Sequence, residues 1–345
     1  MAHRLLVPIL ILVIVVSAAL AGCGILDEET EEFNDTYPAP AGTRVDVEND
    51  SGGNVAITAW AIDHVEVFAR EKTTWGESEL EKVEIQVTSR EGSILVETIV
   101  TGKNVRVSVD YEIKVPNDAL VGTVETSNGR VDLQGVSGNM TVTASNGGIY
   151  AEDLSGRITA TTSNGRIEVD GVSGGGVLTT SNAGLVVKNS GGSITATTTN
   201  GEILVEDSTG DVVLNSSDGA IRVKSLDGYV SAKTSNGAVK ITGATGIVTA
   251  ETSNGSLTAE ISNIQPDGTT IKTTNGSIVL HVSPDLDAAI EMKAASGEIS
   301  VHPPLELTAS SPESDYWLVR LGEGGPKIYV EAVNGDIDLY KLEVG

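Results

Sequence analysis

From Gly129 onward, apolar and polar residues alternate in short runs that return every nine positions. GRVDLQGVS, GNMTVTASN, GGIYAEDLS and GRITATTSN open the series; GAVKITGAT, GIVTAETSN and GSLTAEISN close it. Each block starts with Gly (once Ala183) and places apolar residues at its third and fifth positions. Such alternation over five residues makes a strand with one buried face. Two kinds of block alternate, so the true period is two blocks of nine. A period of that kind marks a solenoid. Two strands and two turns then make one coil, each coil pairing with the next at about 4.8 Å. The predicted fold is all-β: a parallel β-solenoid (β-helix) of about 18 residues per coil, right-handed because parallel connections take that hand.

The pattern also predicts the core. One buried column runs Val131, Ile149, Ile167, Leu185, Ile203, Ile221, Val239, with Leu133, Ala151, Val169, Val187, Val205, Val223, Ile241 beside it. The facing column is Val142, Ala160, Leu178, Ala196, Leu214, Ala232, Ala250. Its alanines imply two closely spaced sheets with no room for aromatic rings. Asn128, Asn146, Asn164, Asn182, Asn200, Asn236 and Asn254 fall one coil apart, with Asp218 once in the same place. Asn-Gly suits a tight turn, Asn tolerating positive φ and Gly preferring it. An isolated Asn-Gly signals an antiparallel hairpin, but the fixed period predicts a stacked corner. There the Asn side chains form a structural ladder, each amide donating to the next coil and accepting from the previous one. Ser145, Ser163, Ser181, Thr199, Ser217, Ser235 and Ser253 form the adjacent column.

Regularity fails at both ends. Residues 42–118 alternate without the strict period and read as an irregular N-terminal β-section that caps the regular solenoid, 119–301. In residues 302–345, Pro303, Pro304, Pro312 and Pro326 mark a loop, and VEAVNGDIDLYKLEV restores one coil as a terminal cap.

Composition adds an address. The chain has 345 residues, a length that suggests two or so domains. Aromatic residues are only 3% and the formal net charge is −26. That charge argues against nucleic acid and anionic lipid surfaces as direct partners. Residues 1–22 hold a short basic start and an apolar run, and Leu20–Cys23 read LAGC. This pattern marks an export signal and resembles the bacterial lipoprotein signal, which implies lipidation at Cys23. Cys23 is the only cysteine, so no intramolecular disulfide forms. Residues 23–41 are acidic, then Pro-containing, and read as an extended tether. The expected place is the exported side of the cell envelope, with the membrane engaged through the N-terminal lipid.

No catalytic constellation stands out, and no cofactor or metal is implied. His3, His64, His281 and His302 lack metal-ligand spacing. Gly-x-Ser-x-Gly, Walker and paired-Cys motifs are missing. Glu152 and Asp170 would lie about 5 Å apart on adjacent coils, close enough for a carboxylate pair. Their column, however, runs Gln134, Glu152, Asp170, Lys188, Glu206, Lys224, the alternation expected of cross-strand ion pairs. Asp207, Asp218 and Asp227 lie near corners without the Gly-Gly-x-Gly-x-Asp of calcium rolls. Outward Thr-x-Thr pairs such as Thr159 and Thr161 are interrupted by Val177, Val213 and Lys233, as on ordinary exposed β-surface.

The order VENDSGGNVAITAW, then VDYEIKVPNDA, then repeated TSNGRIEVDGVSG resembles the putative-adhesin family of bacterial and archaeal surface proteins, from about residue 42 to the end. The resemblance implies a β-helical domain of unknown function and supplies no catalytic motif. Together these readings predict a lipid-anchored adhesion or interaction scaffold without catalysis, its partner an extracellular glycan, peptide or protein. Two alternatives are a polysaccharide-active β-helix enzyme and an envelope-stress sensor binding membrane-active peptides.

Overall fold

Alternation becomes strand almost throughout. The computed structural model describes residues 28–312 and 315–343; Cys23 and the rest of the leader lie outside them. The described residues hold 29 strands and one 3-10 helix, Glu77–Lys82. They fall into two units, divided between Gly138 and Asn139.

The first unit contains β1 (Glu29–Pro38), β2 (Arg44–Asn49), β3 (Val55–Trp60), β4 (His64–Thr73), β5 (Val83–Arg90), β6 (Ser93–Val100), β7 (Ser108–Pro116), β8 (Leu120–Thr126) and β9 (Val131–Gln134). β2 pairs in parallel with both β6 and β8. β3 pairs in parallel with both β7 and β9. The coil β2–β3 therefore lies between two coils that both follow it in sequence. This corrects the expectation of an irregular section: the strands are regular, and their order is shuffled. Partners such as Val55 and Val131 are too far apart in sequence for an 18-residue period to find them.

Antiparallel strands flank this stack. β5 runs against β6, and β4 runs against β7 and β1. β1 occupies residues assigned from sequence to the tether. Its acidic composition hid an alternation in which Phe33 lies opposite Ala69 and Tyr37 opposite Val65. Val65, Val67 and Ala69 are fully buried, so alternate residues of β1 share a face with the core.

The second unit opens with a regular run: β10 (Met140–Ala144), β11 (Ile149–Glu152), β12 (Ile158–Thr162), β13 (Ile167–Asp170), β14 (Gly176–Thr179), β15 (Leu185–Lys188), β16 (Ile194–Thr197), β17 (Ile203–Thr209), β18 (Val212–Asn215), β19 (Ile221–Lys233), β20 (Val239–Thr252) and β21 (Leu257–Ile261). Here each strand pairs in parallel with the strand one coil later, Ile149 opposite Ile167 and Val142 opposite Ala160. The predicted core columns from Val142 to Ala250 and from Ile149 to Val239 are buried. Leu154, Val172, Leu226 and Ala244 are buried too, at the corner after the first strand of their coils, where two other coils carry the buried Ser190 and Ser208.

The order changes again in β22 (Thr269–Thr273), β23 (Ile278–Val282), β24 (Ala288–Ala294), β25 (Ile299–Val301), β26 (Ala309–Pro312), β27 (Tyr316–Leu321), β28 (Lys327–Ala332) and β29 (Ile337–Lys341). β28 pairs in parallel with β22 on one side and β24 on the other. β29 likewise joins β23 to β25. The last coil of the chain is thus inserted between two earlier ones and is not the terminal cap. β27 closes the β24 edge by antiparallel pairing and carries β26 in turn, so the Pro-rich stretch contributes two short strands between its turns.

Candidate interaction surface

The two corners of each regular coil are built differently. At the Asn-Gly corner the backbone approaches its neighbour closely. A Cβ on Gly165 would sit 1.9 Å from the Gly147 carbonyl oxygen, and one on Gly201 1.8 Å from that of Ala183. Neither glycine, nor any Asn of the ladder column, has positive φ. Glycine is required here by space, which corrects the expectation of a left-handed turn. Left-handed residues occupy the opposite corner instead: Asp153, Asn189, Asp207 and Ser225, with φ of 53°, 46°, 49° and 51°. Asp, Asn and Ser are short side chains that tolerate this region better than bulkier residues.

Along the Asn column, Asn164 Nδ2 donates to Asn146 Oδ1, Asn182 to Asn164, Asn200 to Asn182 and Asn254 to Asn236, each at 2.7 Å. Donation runs back toward the N-terminus, the reverse of the expected direction. Asn275 extends the row to Asn254 at 2.7 Å and Asn334 to Asn275 at 2.9 Å. Asp218 accepts from Asn236, but a carboxylate has no proton to give Asn200, so the row is interrupted there. In the first unit, Asn128 Nδ2 lies 3.2 Å from Ser127 Oγ.

A second ladder lies one step inside. Thr162, Thr180, Thr198, Thr234 and Thr252 are buried. Their hydroxyls donate to Gly147, Gly165, Ala183, Gly219 and Gly237 carbonyls at 2.8–3.0 Å. These contacts satisfy backbone acceptors that the turn would otherwise bury unpaired. Sequence reasoning passed over this column, although the Thr two places before most Asn residues of the row, as in TTSN, was its signal.

Outward side chains of the second unit largely pair among themselves. Lys224 Nζ bonds Glu206 at 2.7 Å and holds its carboxyl below the usual range. Lys188 meets Glu168 at 3.6 Å, and its charge also helps lower the carboxyl of its column neighbour Glu206. Glu152 and Asp170 are adjacent in register, and Asp170 accepts from Asn189 Nδ2 at 2.7 Å. Asp227 accepts from Thr245 Oγ1 at 3.0 Å. Among the described residues, no three His, Cys, Asp or Glu side chains gather as a metal site.

Shuffled strand order creates a cluster no local pattern announces. Inserting β29 between β23 and β25 places the Tyr340 ring between His281 and His302, with centroids 5.3 and 4.1 Å away. His302 Nε2 contacts Asp338 Oδ1 at 2.8 Å. His64, in the first unit, packs edge-on to Trp60 at 5.0 Å.

A shallow groove of about 490 Å³ runs across the coils beside the Asn corner. Lys233, Glu251, Lys272 and Glu331 line it together with Ser235, Ser253 and Thr274. Lys233 pairs with Glu251 at 3.1 Å and Lys272 with Glu331 at 3.5 Å. Lys272 also lies 4.9 Å from the Tyr329 ring centroid. The groove presents charges of both signs and hydroxyls at the spacing of successive strands.

The family model described as Toastrack DUF4097 matches residues 64–340. Among solved structures, a putative cell adhesion protein from Clostridium sporogenes is similar at 9% identity, covering 91% of this chain and 100% of that one, with a TM-score of 0.23. A putative adhesin from Bacteroides fragilis shares 12% identity over 90% and 97% of the chains, TM-score 0.27. One from Parabacteroides distasonis shares 11% over 89% and 96%, TM-score 0.26. No curated protein matches the chain.

Proposed function

The chain belongs to the Toastrack DUF4097 family, and on that premise we propose that it is a non-enzymatic interaction scaffold held on the exported side of a cell membrane. Cys23 carries the lipid. The body is a right-handed β-solenoid whose regular coils of about 18 residues are spaced by the Asn row as a structural ladder. Its partner is an extracellular polymer, glycan or extended peptide, that lies along the coils.

The observation that carries this reading is the groove at the Asn corner. It is open and crosses several coils, and its lysines, glutamates and hydroxyls recur at strand spacing. An extended polymer can meet the same chemistry repeatedly along such a groove, gaining affinity from many weak polar contacts. The paired outward charges elsewhere suit a solvated β-surface, where each exposed pair contributes little. The acidic body repels nucleic acid and selects neutral, zwitterionic or basic polymers.

The test is a glycan and peptide array probed with residues 24–345, a fragment that retains β1. Lys272→Ala with Glu331→Ala should abolish retention on whichever ligand class binds, while leaving the unfolding transition within about 1 kcal/mol of wild type. Undiminished binding by the double variant refutes the groove. Release of new reducing ends from a bound polysaccharide refutes the non-enzymatic reading.

A further inference from the structure

The strand β1 begins at Glu29, six residues after Cys23. A fully extended chain spans at most about 3.5 Å per residue, so a lipid on Cys23 holds the start of β1 within about 20 Å of the bilayer surface. That is a short leash for a protein body, and it dictates which end of the first unit faces the membrane. Glu29 lies opposite Thr73, the last residue of β4. Two residues beyond Thr73 is Trp75, 62% exposed, the most exposed large apolar residue among those described.

Trp75 is held in place. Its backbone N–H donates to Thr73 Oγ1 at 3.2 Å, and that hydroxyl donates to the Arg106 carbonyl at 2.7 Å. The Arg106 guanidinium lies over the indole, 3.6 Å from the ring centroid, while the Arg106 N–H donates to Glu79 Oε2 at 3.2 Å. Glu79 also pairs with Lys82. A fixed, solvent-facing indole under a guanidinium presents an apolar ring and a cation together. At a bilayer interface it is favourable, because Trp partitions to the headgroup level and Arg extends toward phosphate.

We propose that the Trp75–Arg106 tip of the first unit is a membrane contact that works together with the lipid on Cys23 and sets the first unit's orientation on the bilayer. The inference rests on the lipid-anchor reading above. The tip is not a membrane-binding site by itself: the adjacent 3-10 helix carries Glu77, Glu79 and Glu81, and one indole buries too little area to hold a protein on a bilayer. Stable attachment takes two signals; the lipid supplies retention and the tip supplies orientation.

The experiment uses protein extracted from membranes of expressing cells and returned to phosphatidylcholine vesicles with brominated acyl chains. Bromine quenches an indole only at membrane depth. Quenching should be present in the wild type and lost in Trp75→Ala, while emission from Trp60 and Trp317 stays unquenched in both. Trp75→Phe should give the same loss with a ring left in the loop, so misfolding cannot imitate the result. Cys23→Ser protein should neither sediment with the vesicles nor be quenched. Mass spectrometry of residue 23 in the same sample separates the two claims. Acylated, vesicle-bound protein without Trp75-dependent quenching overturns this inference alone. Unmodified Cys23 overturns the anchor reading and this inference with it.

Discussion

Two parts of the molecule use the same strands and turns under different rules of order. In residues 139–261 the neighbour in space is the neighbour in sequence, and repetition along the chain becomes stacking. In the first unit, and again after residue 262, a coil is inserted between two others that are close to each other in the chain. β2–β3 lie between β6–β7 and β8–β9; β28–β29 lie between β22–β23 and β24–β25. In both cases the outermost coil, β6–β7 or β24–β25, has further strands on both sides of it in sequence and is flanked by antiparallel strands, β4 and β5 in one unit, β27 in the other. A parallel sheet edge left bare invites pairing with another chain. A chain that simply ran out on its last coil would leave that edge held by a fraying terminus. Insertion puts the terminal coil under ladder bonds on both sides and gives the edge to a segment anchored at both of its ends.

The sharpest contrast is in tolerance of backbone change. In the regular run the coils touch at the Asn-Gly corner, so Gly165→Ala must push two backbones apart and should cost about 3 kcal/mol. The damage should stay near the mutated coil, because each coil contacts only its neighbours. Gly42, where a Cβ would meet nothing within 4 Å, is the control for bulk. Its positive φ of 78° still charges an alanine about 1 kcal/mol. Equal losses in the two variants would show that the corner is not close-packed.

The interiors differ next. The core of the regular run buries apolar side chains and bonded hydroxyls. The first unit buries a polar cluster, in which Asn49 Nδ2 donates to the Val109 carbonyl at 2.7 Å and Thr98 Oγ1 lies 2.6 Å from the Tyr111 hydroxyl. It also buries Glu71, whose Oε2 has no partner and which lies opposite Glu31 in the β1–β4 register. Burial, and then the nearby Glu31 charge, push the Glu71 carboxyl from 4.5 up to about 8. The folded state therefore holds a proton that the unfolded chain has released. Stability should fall as pH rises from about 4.5 to about 8 and level off above. Glu71→Gln should flatten that dependence and raise stability at pH 8 by about 2 kcal/mol or more, read from denaturant midpoints across pH. An unchanged pH profile in the variant would remove Glu71 as its source.

Within the regular run, the buried hydroxyls can be separated from the exposed amides. Thr180→Val keeps the shape and removes the donor to the Gly165 carbonyl, bonded at 2.9 Å. It should cost about 2 kcal/mol. Asp218→Asn supplies the missing amide donor toward Asn200 and should stabilise by about 1 kcal/mol. Both are checked by equilibrium unfolding in guanidinium. A stabilising Thr180→Val or a destabilising Asp218→Asn would reverse the assignment of which ladder matters more.

What could be read from sequence follows the same division. The core columns from Ile149 to Ile241 and the Asn row were legible because one period places each residue beside its counterpart. The buried Thr row carried a readable repeat but looked like surface, since Thr is ordinary on strands. The inserted coils were not legible: Ile337 pairs with Ile278 and Ile299, and nothing local to VEAVNGDIDLYKLEV states that it goes between them. The His281–Tyr340–His302 stack was lost with that pairing. β1 was lost to composition, because the acidic residues Glu29, Glu31, Glu32 and Asp35 disguised a strand in which Phe33 and Tyr37 lie opposite buried Ala69 and Val65.

Insertion of β28 and β29 between earlier coils is tested directly by amide hydrogen exchange. If β28 and β29 are ladder-bonded on both sides, amides of residues 328–332 and 337–341 should exchange more slowly than those of 299–301 in the outer coil, despite lying next to the C-terminus. Chain ends ordinarily fray first, so this order is not the default. Faster exchange in 328–341 than in 299–301 would mean that the last segment is a terminal cap after all, and that spatial order follows sequence order to the end.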